Sequence, residues 1–140
     1  MPDEQTRRFY LHSLELLEAA QVPHLVGGGY AMACYTGIFR HTKDLDIFVR
    51  PQDRQKALAS LADAGYKTEI TWPHFLAKAI TEYAFVDLIY NSGNGLCPVD
   101  DEWLKHARDG EVLGRRVRLC PPEESLSRIA TASTALTWRT

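Results

Sequence analysis

Asp44 and Asp46 sit one residue apart in "HTKDLDIFVR", residues 41–50, at the head of an apolar run. In a strand, residues two apart point to the same side, so both carboxylates share one face and Leu45, Ile47 and Val49 share the other. The apolar face can pack on a helix. The acidic face needs compensation, because adjacent carboxylates near a core repel and lose hydration. A divalent cation supplies it: Mg²⁺ takes oxygen ligands and is held by one or two carboxylates together with substrate phosphates. The alternative is a solvent-facing edge strand carrying two surface acids.

Two further features favour the metal. Upstream, "LVGGGYAMA", residues 25–33, reads as a strand, three glycines and then a helix. Glycines let backbone N–H groups approach a phosphate, and a helix N-terminus carries partial positive charge. No G-K-[ST] follows, so this is not a Walker loop. Downstream, Asp87 interrupts the β-prone run "AFVDLIY". A mid-strand aspartate is costly without a partner. If its strand lies about 4.8 Å from the Asp44 strand, three carboxylates converge, as in two-metal phosphoryl-transfer sites. A salt bridge from Asp87 to a nearby Arg or Lys is the structural alternative.

These residues need a scaffold to position them. A chain of 140 residues suits one domain with a core. Residues 5–20 read as a helix with Tyr10, Leu14 and Leu17 as its stripe, widened by Leu11 and Leu16; Glu15 and Glu18 face water. Strands are expected at 24–28, 44–49, 66–71, 75–80 and 83–91, and a hairpin or bent strand around Gly114 over 111–119. Helices are expected at 30–38, at about 52–64 with Leu58, Leu61 and Ala62 facing inward, at 100–108, and from "PPEESLSRI" onward. "NSGNG", residues 91–95, reads as a loop. Strands interleaved with helices predict an α/β (α+β) fold, a mixed sheet with helices packed on it.

Composition excludes several classes. A formal net charge of −2 advertises no overall basic field for nucleic acid, while leaving room for a locally basic groove. No apolar run reaches the roughly 20 residues of a membrane span, and the charged, amphipathic start lacks a signal-peptide pattern, so a cytoplasmic protein is expected. Cys34, Cys97 and Cys120 are too dispersed for a disulfide framework or a C-x-x-C metal site.

Taken together, Gly27-Gly28-Gly29, Asp44-Leu45-Asp46 and Asp87 resemble the nucleotidyltransferase superfamily, the DNA polymerase β-like fold. The run "GGGYAMACYTGIFRHTKDLDIFV" also resembles the abortive-infection type nucleotidyltransferase toxins and related bacterial nucleotidyltransferases. The resemblance spans about residues 22–91. It implies a transferase that moves an NMP from an NTP to an acceptor hydroxyl, releasing pyrophosphate. Asp44, Asp46 and Asp87 would hold Mg²⁺ or Mn²⁺, with Asp87 also acting on the hydroxyl. Gly27, Gly28 and Gly29 would cradle phosphates. Where many members carry serine after the glycine, this chain has only glycine, which leaves that contact to backbone N–H groups. Lys43 and Arg40 read either as phosphate-neutralising cations or as solvated ones at a strand edge. His41 reads as a loop residue. Trp72, Tyr83, Tyr90 and Trp103 read as base-stacking candidates or as core. The acceptor is left open among protein, RNA and small molecule.

The end of the chain reads differently. "TASTALTWRT" has no acid and no helical stripe. The resemblance implies a continuing helical stretch, F-D-G-A-D-V-A-H-L. One set of codons for it, read one base late, gives the residues found from Ser133 to Thr140. The expectation is a catalytic domain over 1–124 and a truncated or frameshifted tail over 125–140, with an exposed apolar surface inviting self-association. The competing functional expectation is an inactive module that binds nucleotide or a protein partner. A metal-dependent nuclease fits less well, because a glycine turn ahead of the acids suits a triphosphate.

Overall fold

Local chemistry sets the first helix. In the computed structural model, which describes residues 3–38, 44–73, 75–91 and 99–121, α1 runs Glu4–Ala19. Asp3 caps it: its Oδ1 accepts from the Thr6 N–H at 2.8 Å. Glu4 adds negative charge to the first turn. The buried face is Phe9, Tyr10, Ser13, Leu14 and Leu17. Phe9 thus joins the expected stripe, while Leu11 and Leu16 are only half-buried.

The chain then forms β1 (His24–Val26), α2 (Gly28–Thr36) and β2 (Asp44–Val49). A short 3-10 turn, Pro51–Asp53, leads into α3 (Arg54–Asp63). Its buried residues are Ala57 and Leu61. Ala62, expected to face inward, is exposed: the inward stripe follows the one-turn spacing from 57 to 61, and 62 falls beyond its margin. β3 (Lys67–Trp72), β4 (Leu76–Ile80) and β5 (Phe85–Ile89) follow, then α4 (Asp101–Lys105) and the hairpin β6 (Arg108–Val112) and β7 (Arg115–Leu119). The hairpin starts three residues before the expected 111, because Arg108 pairs with Leu119. Its first strand is an exposed edge without apolar alternation, so no sequence pattern marks its start.

The seven strands form one mixed sheet in the order β3-β4-β5-β2-β1-β7-β6. β1 and β2 are antiparallel, whereas β2 pairs with β5, and β1 with β7, in parallel. One face is apolar: Val26, Leu45, Ile47, Val49, Ala77, Ala79, Val86 and Leu88 join Leu14 and Leu17 of α1 and Leu61 of α3 in a single core. Each fully buried Leu, Ile or Val there contributes roughly 1.5–3 kcal/mol. The other face holds a smaller cluster of Leu25, Phe48, Val99, Trp103, Leu104 and Cys120. Phe48 meets Trp103 edge-on at 4.8 Å between ring centroids.

Cys34 is exposed and its thiol donates to the Glu111 carbonyl at 3.3 Å. Among the described residues no helix is long and apolar enough to cross a membrane. Arg40, His41, Thr42, Lys43, Cys97, most of the 91–95 loop and the whole 122–140 segment, with its expected helix and tail, lie outside the described residues.

His24, at the start of β1, donates from Nδ1 to the Val22 carbonyl at 2.7 Å. Burial pushes its pKa down from 6.5, outweighing that hydrogen bond and the charge of Glu18. The unfolded chain therefore takes up this proton first as pH falls. Stability is full above about 6.5 and is lost below it. Melting temperatures across about pH 7.5 to 5.5 are expected to fall for the wild type and to fall less for His24→Asn. Equal slopes would remove His24 as the cause.

Candidate active site

The site is set by a parallel pairing. β2 and β5 run side by side with Asp46 directly opposite Asp87 and Asp44 opposite Phe85. Parallel neighbours need a long return connection, here α3, β3 and β4. Residues directly opposite share a face, so all three aspartates stand on the side away from the main core. One oxygen from each of Asp44, Asp46 and Asp87 lies within 4.8 Å of the others. Asp44 and Asp46 are half-buried and Asp87 is fully buried. Three hard oxygen donors at this spacing suit Mg²⁺ or Mn²⁺.

Asp87 has a cationic partner. Lys78, directly opposite on β4, places Nζ 2.7 Å from Asp87 Oδ1. The same ammonium stands 4.1 Å from the centroid of the Phe85 ring. Glu69 on β3 is opposite Lys78 in turn. A row of Glu69, Lys78, Asp87 and Asp46 thus crosses four strands. The salt-bridge alternative for Asp87 and the clustering of the acids both hold. Sequence reasoning missed Lys78: "LAKAI" shows a charge inside an apolar strand, but only the β4–β5 register gives that charge its partner.

The glycines abut this row. The Gly27 N–H donates to the Asp46 carbonyl at 3.0 Å, and Gly27 is the N-cap of α2. Gly28 has φ of 60°, and a Cβ there would lie 2.3 Å from Asp46 Oδ2. Gly29 follows in the first turn of α2. The positive end of α2 therefore lies beside the acids. Next comes Tyr30, whose phenol is pushed up to about 12 by burial and then by the charge of Asp44. Tyr10 stands edge-on to Tyr30 at 5.9 Å. Its phenol is pushed up further, by burial first and then by Tyr30 and all three aspartates. Both stay protonated under ordinary conditions. In the sequence Tyr10 reads only as part of the apolar stripe of α1, and nothing there marks its nearness to the aspartates.

The stacking candidates divide. Tyr90 and Trp103 are buried, and the Tyr90 hydroxyl donates to the Trp72 carbonyl at 3.1 Å. Trp72 and Tyr83 are exposed, and Trp72 stacks on Phe75 with rings 6° from parallel.

Gly28 and Gly37 give a matched pair for testing the fit. Both have left-handed φ, but a Cβ at Gly37 meets nothing within 4 Å. Gly37→Ala is expected to cost about 1–2 kcal/mol from backbone strain alone. Gly28→Ala carries the same strain and also displaces Asp46, so it is expected to cost clearly more. Urea unfolding compares the two, and equal losses would mean that Asp46 moves aside freely.

A model of the aminoglycoside-2''-adenylyltransferase family matches residues 11–90, from α1 through β5 and so across all three aspartates. The chain is 32% identical over 85 residues to a lincosamide resistance protein of Staphylococcus haemolyticus, covering 59% of this chain and 53% of that protein. It thus spans about half the length of the curated relative it matches. The crystal structure of the lincosamide antibiotic adenylyltransferase LnuA with lincomycin bound has a TM-score of 0.64 at 24% identity, over 89% of this chain and 84% of that one. The solution structure of the antibiotic-resistance factor ANT(2'')-Ia has a TM-score of 0.71 at 17% identity, over 99% of this chain and 79% of that one. At these identities the structural likeness is one of fold, and the fold is that of nucleotidyltransferases. The matched region covers more than half of the sequence: the chain belongs to the aminoglycoside-2''-adenylyltransferase family, within the nucleotidyltransferase superfamily.

Proposed function

We propose that this protein transfers a nucleoside monophosphate, in the first instance AMP, from its triphosphate to a hydroxyl of a small-molecule acceptor. The observation that carries the reading is the convergence of Asp44, Asp46 and Asp87 within 4.8 Å. The names of the relatives, which describe lincosamide and aminoglycoside adenylylation, support a small-molecule acceptor. A hydroxyl-bearing antibiotic is the first acceptor to try.

Asp44, Asp46 and Asp87 hold the divalent cation, Mg²⁺ or Mn²⁺. When bound, it supplies charge neutralisation for the triphosphate and the leaving pyrophosphate. The N–H groups of Gly28 and Gly29 bind phosphate at the positive end of α2. Gly27 ties this turn to β2 through the Asp46 carbonyl. Lys43 and Arg40, just ahead of Asp44 in sequence, add positive charge for the phosphates. The acceptor oxygen attacks the α-phosphorus, the bond to the β-phosphate bridge breaks, and pyrophosphate leaves. Asp87 takes the hydroxyl proton. Orientation and charge placement do most of the work in such transfers.

A second reading, a module that binds nucleotide without transferring it, draws on the Lys78–Asp87 ion pair at 2.7 Å, which compensates one acid in the absence of any metal.

Calorimetric titration of ATP, GTP, CTP and UTP, with and without Mg²⁺, tests the binding site. Mass spectrometry of reactions with lincomycin or an aminoglycoside tests transfer. Metal-dependent binding and an adenylylated product are expected, and the Asp44→Asn/Asp46→Asn double variant is expected to lose about a hundredfold or more in rate. Metal-dependent binding without product from any acceptor supports the second reading. No binding by a folded wild type refutes both.

A further inference from the structure

At the end of the sheet away from the aspartates lies a cavity that the proposed chemistry does not use. β1 and β7 pair at one position, Val26 with Leu119. Toward their N-terminal ends a cavity of about 460 Å³ stands against both, walled by the segment Gln21–His24 and by Arg115–Arg118. His24 lies opposite Val49 on β2. The rise of a strand puts that end roughly 10–17 Å from Asp46 and Asp44. The cavity is therefore separate from the acidic cluster.

Three guanidiniums face two carboxylates on its walls. Glu18 ion-pairs with Arg115, and Asp109 lies opposite Arg118 across the hairpin. Arg118 is also held by the Leu104 carbonyl, to which it donates at 2.7 Å. Arg116 is exposed. With His24 neutral, one positive charge is left over.

His24 decides which anion fits. Its Nδ1–H is committed to the Val22 carbonyl, so the neutral ring offers Nε2 as an acceptor. A ligand there must bring a proton as well as negative charge. A phosphate monoester keeps a P–OH in its singly ionised form, its second pKa being about 6. Carboxylates and sulfate carry no such proton at neutral pH. Gln21 is a second signal. It follows α1 with φ of 58°, in the left-handed position of a helix end where its N–H bonds the Glu18 carbonyl and that of Val22 bonds the Leu17 carbonyl. Glycine adopts this conformation without strain. A glutamine does not, and it lines the cavity; backbone strain of this kind gathers at binding sites.

We propose that this cavity binds the phosphate group of a small phosphorylated molecule, with Arg116 and Arg118 on the anionic oxygens and the P–OH donating to His24 Nε2. Val22, Pro23 and Val117 give the organic part an apolar wall, and the volume is that of a small-molecule site. The site is independent of the proposed nucleotidyl transfer.

The test titrates glycerol 3-phosphate, inorganic phosphate and sulfate into the full chain at constant ionic strength. The ring signals of His24, assigned through His24→Asn, are followed by nuclear magnetic resonance. A saturable shift with glycerol 3-phosphate is expected, at least tenfold weaker in Arg116→Ala and in Arg118→Gln and largely restored in Arg116→Lys. Sulfate is expected to bind at least tenfold more weakly. The Asp44→Asn/Asp46→Asn variant is expected to show the wild-type shift. No saturable shift, unchanged affinity in both charge-removing arginine variants, or sulfate as tight as the phosphate ester would overturn the inference. Equal affinity for inorganic phosphate would overturn the ester and leave free phosphate as the ligand. Loss of the shift in the aspartate variant would overturn the independence of the two sites.

Discussion

The pairing of Asp46 with Asp87 across parallel strands is the constraint around which the molecule is organised. It forces like charges into a space of 4.8 Å. At that separation two carboxylates repel by roughly 1 kcal/mol if water screens them and about 3 kcal/mol at an effective dielectric constant near 20. The surroundings answer that repulsion from three directions. Lys78 arrives from the neighbouring strand, the positive end of α2 lies alongside, and the apolar face of the same strands anchors the backbone in the main core.

The face that carries the acids is itself divided. Asp44 and Asp46 occupy one end of it, and Phe48, two residues on, belongs to an apolar cluster with Leu25 and Trp103. The glycine turn serves both halves. A Cβ at Gly28 would strike Asp46, and a Cβ at Gly27 would lie 2.3 Å from the Phe48 ring. Consecutive glycines therefore accommodate alternate residues of the adjacent strand. Glycines that look suited to a phosphate are also required by packing, and either role alone would account for them.

Much of this was legible in the sequence for one reason: a carboxylate inside an apolar strand is costly, so Asp46 and Asp87 stand out against their neighbours. The strand and helix order followed from periodicity and from stops such as Pro23 and "AGY". What stayed hidden depended on register or on edges. Lys78 acquires meaning only once β4 is aligned against β5, because a lysine in "LAKAI" could as readily face water. Arg108–Gly110 opens an edge strand with no apolar alternation to betray it. Phe9 lies beside Tyr10 at the margin of the helical stripe, and its ring is buried by tertiary contacts with Tyr10 and Tyr66. The acceptor was not legible, since the glycine and aspartate motifs concern phosphate and metal, not the molecule that receives the nucleotide.

The sheet order also bears on how the chain reaches its native state. The hairpins β3–β4, β4–β5 and β6–β7 join neighbours in sequence and can close early. The central pairs cannot: β2 meets β5 about forty residues later, and β1 meets β7 about ninety residues later. Non-local pairings of this kind are slow because loop-closure entropy must be lost before any contact compensates it. Of the two pairings that Asp87 makes, the one with β4, which brings in Lys78, closes the shorter loop, so contact order alone predicts that it forms ahead of the pairing with β2 that gathers the carboxylates.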